Sequence, residues 1–542
     1  MSLLLHDETW PGCRRVVLLA SVACGAMAFV NTAGNQFTRL GVLAWLTSIV
    51  LAALAFWPRQ PAAQHDAGSA PADRATPGLR VALTFAVLVA AGFRLAALES
   101  SPPEMTSDHV EKLLDTGRVL AGARPVFFEG NGGREPLHFY LAALLFASGW
   151  WPVVGSRVGL RFAFAPLFAA LATWLVVRGL RRGRHDLLVL GALALGAGFY
   201  GYTAFRIVPV VIGVAVGLHA WSRSTRGAWR LAFRRLVMIG AIVAVVVVPL
   251  ARVAVDDPGS FWRRTTTRML TAERPYEEPV PTLIAKSAWR SAGMFWRNGG
   301  SGWIMGPPGE PALDPVVRVL FAAGLVIVLR RAWTRGGWVD WLLLAAVPLL
   351  VLPSALALAF PVEVPSLNRS VCAQTVVFIV AAIGLDALWR RAPGSARPGV
   401  QSAVVGVVLA VSAVSNARVV FDRYPAVYRA AAPNTGEVAR EVRAFAEPEG
   451  RWDAVWIWAR PHWLDARAVG IHAGQPGWAN VVADWADAER RLAEASPGPV
   501  LFVVHPRDRA VLARLRATYP DGIATPIASA VSPSKDFVTF RR

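Results

Sequence analysis

The residues best suited to chemistry lie in one polar loop between apolar stretches of the chain. The loop reads SSPPEMTSDHVEKLLDTGRVLAGARPVFFEGNGGREPLHFY and contains Asp108 and Glu135. A carboxylate at either position can act as a general base toward a hydroxyl or amine within hydrogen-bond reach. Asp108 also fits a plainer role, because it falls in the first turn of a predicted helix over 108–120, where the helix dipole stabilises a carboxylate.

Basic side chains that can bind a phosphate accompany these acids. Arg134 precedes Glu135, and Arg206 and Arg369 each open a predicted apolar span. A guanidinium suits an oxyanion by its charge and planar donors, and arginines would stabilise a departing phosphate in a metal-free site. The alternative for each arginine is to reach from a helix end to lipid headgroups. His109 is a candidate substrate contact, although a hydrogen-bonding surface residue is the simpler interpretation.

The residue pattern offers little support for a metal or a cofactor. No cluster of His, Cys and carboxylate residues has the spacing of a zinc site. No phosphate-binding glycine loop, dinucleotide fingerprint or nucleophile elbow occurs. The cysteines Cys13, Cys24 and Cys372 lie in or beside apolar segments without a CxxC pair. We therefore expect no cofactor and no disulfide framework, and we find no ligand set for a divalent metal.

The composition indicates a membrane protein. Hydrophobic residues make up 54% and charged residues 17% of the chain, compared with about 45–50% and about 25% in globular proteins. The formal net charge of +20 does not indicate nucleic-acid binding, because no basic stripe with interleaved aromatic residues occurs. Arginine-rich loops on the cytoplasmic side of a membrane explain the surplus.

Eleven apolar segments approach the length of a transmembrane helix, which is about 20 residues. They lie near 15–33, 38–57, 80–98, 158–178, 186–203, 206–221, 233–254, 312–331, 340–361, 369–389 and 400–420. This number places the arginine-rich loops on the cytoplasmic side if the short aromatic stretch 137–152 lies at the interface. If 137–152 crosses instead, a weak span such as 206–221 must be re-entrant.

This topology predicts four parts and places the last part outside the cell. The parts are an N-terminal transmembrane hairpin 1–57, a cytoplasmic linker 58–79, a transmembrane module 80–420 with outer loops 99–136 and 255–311, and a C-terminal domain 421–542. In the C-terminal domain, strand-like runs alternate with helical patterns, which predicts a small α/β domain. Aromatic residues of the second outer loop, such as Trp296, fit either an interfacial belt or a sugar-stacking surface.

Three segments resemble a known family. The run PPEMTSDH (102–109), followed by GREPL (133–137), resembles the first outer loop of bacterial family-39-type glycosyltransferases. These enzymes are relatives of protein O-mannosyltransferases and of the lipid A aminoarabinose transferase, and they share the GT-C fold. The run MFWRNGGSGWIMGPPGEPALDP (294–315) is similar to a late outer loop of such proteins, and Arg369 after PSLN (365–368) is a third match. Together the matches cover the chain from about 80 to 420.

The resemblance implies an α-helical polytopic membrane protein of the GT-C type in a bacterial cell membrane. It implies inverting transfer of a sugar from a polyprenyl-phosphate donor to a protein, lipid or glycan acceptor on the outer face. The family's catalytic aspartate matches Asp108. The next family position is often acidic and is His109 here, so Glu135 is a candidate substitute for a second acid. Arg134 matches the family's basic residue before Pro-Leu only approximately.

Two other functions compete with the transferase. A lipid-linked-sugar transporter or flippase would need charged residues buried within its spans, and the spans here are poor in them. A non-catalytic membrane scaffold would use the C-terminal domain to bind partners, and no loop carboxylate would then matter. The sequence names neither the sugar nor the acceptor.

Overall fold

A computed structural model of the protein describes residues 11–58, 88–89, 91–97, 104–120, 123–128, 162–269, 271, 275–391, 398–448, 450–494 and 498–542. Helices dominate these residues. In chain order up to residue 417 they are α1 (Pro11–Asn31), α2 (Arg39–Phe56), α3 (Ser107–Leu120), α4 (Ala165–Arg182), α5 (His185–Gly198), α6 (Val208–Trp221), α7 (Arg226–Val246), α8 (Val248–Asp256), α9 (Pro258–Met269), α10 (Val280–Gly293), α11 (Pro315–Arg335), α12 (Trp338–Ala355), α13 (Gln374–Arg391) and α14 (Pro398–Ala417).

The chain beyond residue 417 alternates helices and strands. Its helices are α15 (Tyr424–Ala431), α16 (Thr435–Ala446), α17 (Ala466–His472), α18 (Trp485–Glu494) and α19 (Arg509–Thr518). Its strands are β1 (Val455–Trp458), β2 (Val481–Val482), β3 (Leu501–Val504), β4 (Ile523–Ile527) and β5 (Phe537–Arg541).

Several described helices have the length and apolar character of membrane spans. Five helical segments qualify: Cys13–Asn31, Arg39–Phe56, Thr203–Trp221, Trp338–Ala355 and Val371–Leu388. Each coincides with a span predicted from the sequence. Helices suit a membrane because they bond every backbone polar group within their own segment. The chain therefore has the helices of an integral membrane protein.

The other predicted spans are described less completely. Helices α4, α11 and α14 overlap three of them, and the shorter apolar helix α5 overlaps a fourth. Most of 80–98 and all of 137–152 lie outside the described residues. The eleven-span arrangement thus stays a prediction.

Helices α7 and α8 together cover the predicted span 233–254, but they are bent. Their axes meet at 66° across Val247, and Pro249 stands in the first turn of α8. Proline lacks a backbone N–H and clashes with the preceding turn, so it favours such a bend. The Val246 carbonyl at the break accepts hydrogen bonds from Tyr200 Oη at 2.8 Å and from Trp45 Nε1 at 2.9 Å. These side chains replace part of the interrupted helical bonding.

Helices α11 and α13 cross closely at two glycines. A Cβ atom at Gly324 would lie 1.9 Å from the Val380 carbonyl oxygen, and one at Gly384 would lie 2.1 Å from the Leu320 carbonyl oxygen. Small residues allow helix backbones to approach in this way where a membrane supplies no hydrophobic force between helices. These two glycines therefore allow the backbones of α11 and α13 to pack in close contact.

The described chain divides into two compact units. We call residues 1–96 and 119–420 the membrane unit, and residues 97–118 and 421–542 the C-terminal unit. The sequence had assigned 99–118 to an outer loop of the transmembrane module. Most of α3 instead packs with the chain that follows residue 420.

The C-terminal unit contains a five-stranded mixed sheet in the order β2-β1-β3-β5-β4. Strand β1 pairs in parallel with β2 and β3, and β5 pairs antiparallel with β3 and β4. Along β1 the side chains alternate between two cores: Val455 and Ile457 pack with α16 and α17, whereas Trp456 and Trp458 pack with α18 and α19. Helices cover both faces, which is why β1 and β3 are apolar at every position. The alternation of strands and helices predicted for this region is present.

Gly324→Ala should destabilise the membrane unit, because the added methyl group forces α11 and α13 apart. Overpacking of this kind costs about 1–3 kcal/mol, and we expect a lower thermal unfolding midpoint in detergent. Gly240→Ala in α7 is the matched control, since no neighbouring side chain or neighbouring element lies within 4 Å of its added Cβ. Equal midpoints for the two variants would contradict the proposed close crossing.

Candidate functional site

Asp108 lies in the first turn of α3, where the sequence predicted it. The start of this helix is closed by His109, whose Nδ1 accepts the Thr106 backbone N–H at 3.0 Å and lies 2.9 Å from Thr106 Oγ1. The side chain of the third helical residue thus bonds back to the residue before the helix, as in a capping box. His109 therefore has a local structural role through Nδ1, and it fixes the backbone that carries Asp108.

Glu104 fastens the segment before α3 to the C-terminal unit. Its carboxylate accepts a hydrogen bond from Thr435 Oγ1 at 2.7 Å and others from the Gly436 N–H at 3.1 and 3.3 Å. These donors open α16, so the carboxylate also lies at the favourable end of a helix dipole. His472 Nε2 stands 3.7 Å away. Glu104 therefore joins parts of the chain 331 residues apart.

Arg467 holds α3 itself. Its guanidinium forms an ion pair with Glu111 and hydrogen bonds of 2.9 and 3.1 Å with Asp465. Burial raises the pKa of Asp465, but the bonds from Arg467 and Ser107 outweigh it, so the net shift is downward. An arginine shared between two half-buried carboxylates is well suited to fix a helix, because its planar fork bonds both at once.

Tyr428 lies buried near the acidic residues of this segment. Burial first, and then the negative charges of Glu104 and Asp108, raise the pKa of Tyr428 well above its usual value. Its phenol therefore stays protonated. Lys535 donates to the carbonyl oxygens of Arg429 and Ala432 at the end of the same helix, α15. Asp108 thus belongs to a tightly packed region of the C-terminal unit.

The two predicted arginines that the structure describes lie in the membrane unit. Arg206 stands in a 3-10 turn before α6, with its guanidinium 4.7 Å from the Phe261 ring centre and 4.9 Å from that of Trp262. Arg369 forms an ion pair with Glu363. Its Nη1 is buried and has no hydrogen-bond partner among the described residues. Both arginines are therefore fixed in place, one by aromatic rings and one by a carboxylate.

The membrane unit contains a cavity of about 800 Å³ beside α10 that the sequence did not predict. Its lining residues are Trp289, Arg290, Ala292, Gly293, Trp296, Arg297, Asn298, Gly300, Ser301, Val362, Val364 and Pro365. They include two guanidinium groups and two indoles but no carboxylate. A cavity with this lining favours an anionic ligand that also has an apolar surface. We call it the arginine cavity.

Close backbone packing shapes the arginine cavity. Arg290 Nη1 donates to the Pro361 carbonyl at 3.0 Å, and Ser301 Oγ donates to that of Val362 at 3.0 Å. Gly300 has a φ of +116°, and a Cβ atom there would lie 2.2 Å from the Pro365 carbonyl oxygen. Only glycine fits such a position. The cavity wall is therefore built from the end of α10 and from loops that these contacts fix.

A second cavity of the membrane unit is an apolar groove of about 650 Å³. Aromatic residues such as Phe37, Trp45 and Tyr200 line it together with aliphatic side chains, and Arg124 is the one charged residue of its lining. The membrane unit thus offers one cavity suited to an anion and one suited to an apolar chain.

The predicted site residues that the structure describes are divided between the two units. Asp108 and His109 share the first turn of α3, whereas Arg206 and Arg369 belong to the other unit. Arg134 and Glu135 lie outside the described residues. Among the residues that the structure describes, no group of three or more His, Cys, Asp or Glu side chains could hold a metal ion.

Three further arginines of the arrangement were not predicted from the sequence. The sequence carries no signal for the pairing of Arg467 with Glu111, because the two residues are 356 positions apart. Arg290 and Arg297 have a weak signal, since each follows a tryptophan directly.

Arg467→Ala should loosen α3 while the C-terminal unit stays folded. The change leaves Glu111 and Asp465 without their common partner, and loss of such a bond costs about 1–3 kcal/mol. We expect faster hydrogen exchange of the amides in 108–118. Arg443→Ala is the matched control, because it breaks an exposed pair with Glu447, which contributes at most about 1 kcal/mol. Unchanged exchange in Arg467→Ala would show that this arginine does not hold the helix.

Comparisons with known proteins add no relative to these observations. The chain matches no protein-family model. A search of curated proteins likewise found no match.

Proposed function

We propose that the chain is an inverting glycosyltransferase of the GT-C type, which transfers a sugar from a polyprenyl-phosphate donor to an acceptor. The observation that carries this proposal is the fixed position of Asp108. The residue lies in the first turn of α3. His109 caps this helix, and Glu104 and Arg467 anchor it. A general base must be held in place to be effective. The likeness of residues 102–109 to the family's first outer loop supports the same role.

The proposed reaction is a single displacement. The Asp108 carboxylate takes the proton from the acceptor hydroxyl or amine as that atom attacks the anomeric carbon. The bond between the anomeric carbon and the phosphate oxygen breaks, and polyprenyl phosphate leaves with the bonding electrons. Attack opposite to the leaving group inverts the anomeric centre. A phosphate that leaves with negative charge needs cationic donors around it.

The chemistry of the membrane unit supports a donor of this kind. An isoprenoid phosphate combines an oxyanion with a long apolar chain. The arginine cavity suits the first group, because Arg290 and Arg297 line it without a carboxylate. The apolar groove suits the second, because a single arginine interrupts its apolar lining. Arg206 and Arg369 remain further candidates for the phosphate, with Arg134 and Glu135 as the other predicted contacts.

The proposal includes a topology and a location. We infer eleven spans in a bacterial cell membrane, with the C-terminal unit on the outer face, from the arginine-rich loops. The acceptor is a protein, a lipid or a glycan of the cell envelope. No resident metal or other cofactor enters the proposed reaction. The helices long enough to span a membrane support this arrangement, since five are already evident in the described chain.

Asp108→Asn should abolish sugar transfer while the protein inserts and folds normally. An amide cannot take the acceptor proton, and loss of a general base lowers rates by about 10²–10⁴-fold. Transfer would be measured with purified protein in nanodiscs, a set of polyprenyl-phosphate sugars and envelope acceptors. Glu447→Gln is the control, as it removes a carboxylate from an exposed pair in the same unit.

The outcome also separates the competing functions. Full transfer by Asp108→Asn would overturn the assignment of the base. A scaffold predicts no transfer by the natural protein and no effect of Asp108→Asn on its phenotype. A flippase predicts movement of the lipid-linked sugar across the bilayer in both proteins.

The double variant Arg290→Ala, Arg297→Ala should raise the KM for the lipid-linked donor. Each charge-assisted hydrogen bond lost costs about 1.5–3 kcal/mol, so the two changes together should raise KM by at least about tenfold. Arg335→Ala, at the exposed end of α11, is the control with the same type of charge removed. An unchanged KM in the double variant would exclude the arginine cavity as the phosphate site.

A further inference from the structure

The sheet of the C-terminal unit has a topological switch point between β1 and β3. From β1 the chain runs through α17 to β2 on one side, and it then returns through α18 to β3 on the other side. Helices α17 and α19, which follow β1 and β3, pack on opposite faces of the sheet. The two loops therefore diverge at the carboxyl ends of adjacent parallel strands. Open α/β sheets bind ligands in the crevice that this divergence creates.

The loops at this position carry polar and aromatic side chains from both strands. We call the group Arg460, His462, Trp463, His505, Arg507 and Asp508 the switch-point cluster. Arg460 forms an ion pair with Asp508, which joins the two loops. The rings of Trp463 and His505 meet edge to face with centres 5.2 Å apart. The function proposed above uses none of these residues.

The cluster has more hydrogen-bond donors than acceptors. The Arg507 backbone N–H donates to His505 Nδ1 at 3.1 Å, so the proton of a neutral ring is on Nε2. Burial and the charge of Arg460 lower the pKa of His505, which keeps the ring neutral near neutral pH. The Arg507 side chain is exposed and makes no ion pair with the described residues. Two arginines against one aspartate leave the crevice with a surplus of positive charge.

The backbone of the first loop is held in an unusual conformation. His462 has a φ of +58°, in the left-handed region that non-glycine residues seldom occupy. Such conformations persist only where the surrounding structure holds them, and they concentrate at functional sites. The loop is held at one end by the pair of Arg460 with Asp508 and at the other by the bonds of Asp465 to Arg467. It therefore presents the exposed His462 side chain from a fixed frame.

We propose that the switch-point cluster binds a sugar that carries an oxyanion, either the phosphate of a sugar phosphate or the carboxylate of a sugar acid. The guanidinium groups of Arg460 and Arg507 match the planar geometry of both oxyanions. The indole of Trp463 packs against the apolar core that β1 shares with α16 and α17 and is partly exposed. The exposed part offers an apolar surface for the sugar ring. The assignment is independent of the role of Asp108, because a scaffold with no transferase activity would bind the same ligand.

Isothermal titration calorimetry of the full-length protein in detergent tests this site. The probes are glucose 1-phosphate, glucuronate, inorganic phosphate and glucose. We expect saturable binding of glucose 1-phosphate, glucuronate or both, with Kd of about 1 mM or below, and far weaker binding of glucose. Which of the two charged sugars binds identifies the source of the oxyanion. Inorganic phosphate that binds as tightly as glucose 1-phosphate would overturn the sugar part of the proposal.

The Arg507→Ala variant tests whether the switch-point cluster is the binding site. Loss of one charge-assisted bond should weaken binding of the charged sugar by about tenfold or more. The variant should fold normally, because the side chain is exposed. Arg516→Ala is the matched control, an exposed arginine in the last turn of α19, and it should bind like the natural protein. Absence of saturable binding, or equal weakening by both variants, would overturn the proposal.

Discussion

The proposed active site depends on the guanidinium of Arg467, which forms an ion pair with Glu111 and hydrogen bonds with Asp465. Arg467 and Glu111 are 356 residues apart in the chain, with three of the five described spans between them. Without this contact and the bonds of Glu104 to the start of α16, α3 would be an amphipathic helix on its own, and 14 residues are marginal for an isolated helix. Tertiary contacts therefore stabilise α3 and fix the position of the Asp108 carboxylate that it carries.

The structure of the membrane unit depends on different constraints. Its helices satisfy their own backbone groups, so what remains to be arranged is their approach to one another and the bonding at their breaks. Gly324 and Gly384 allow α11 and α13 to come into backbone contact. At the bend between α7 and α8, Tyr200 and Trp45 donate hydrogen bonds to the buried Val246 carbonyl. Small residues in this unit thus act where helices cross, and polar side chains act where a helix is interrupted.

The two units differ in the chemistry of their side chains. The C-terminal unit contributes acids on a fixed helix, and its sheet brings a cationic and aromatic cluster to the ends of β1 and β3. The membrane unit contributes arginines beside indoles and an apolar groove. A transferase for a lipid-linked sugar needs a base, a site for an oxyanion and a surface for an apolar chain. Each requirement has a counterpart among the described residues.

The sequence by itself determined the helical membrane character, the small α/β region and the helix that has Asp108 in its first turn. These features follow from apolar length, from alternation and from capping residues, which are all local properties. Only the tertiary structure decided that α3 belongs with the C-terminal unit, that His109 caps this helix, and that Arg290 and Arg297 share a cavity. Those results depend on contacts between residues distant in the chain or on the direction of a side chain. Local periodicity contains no information about either, because it describes a residue's neighbours in sequence and not its partners in space.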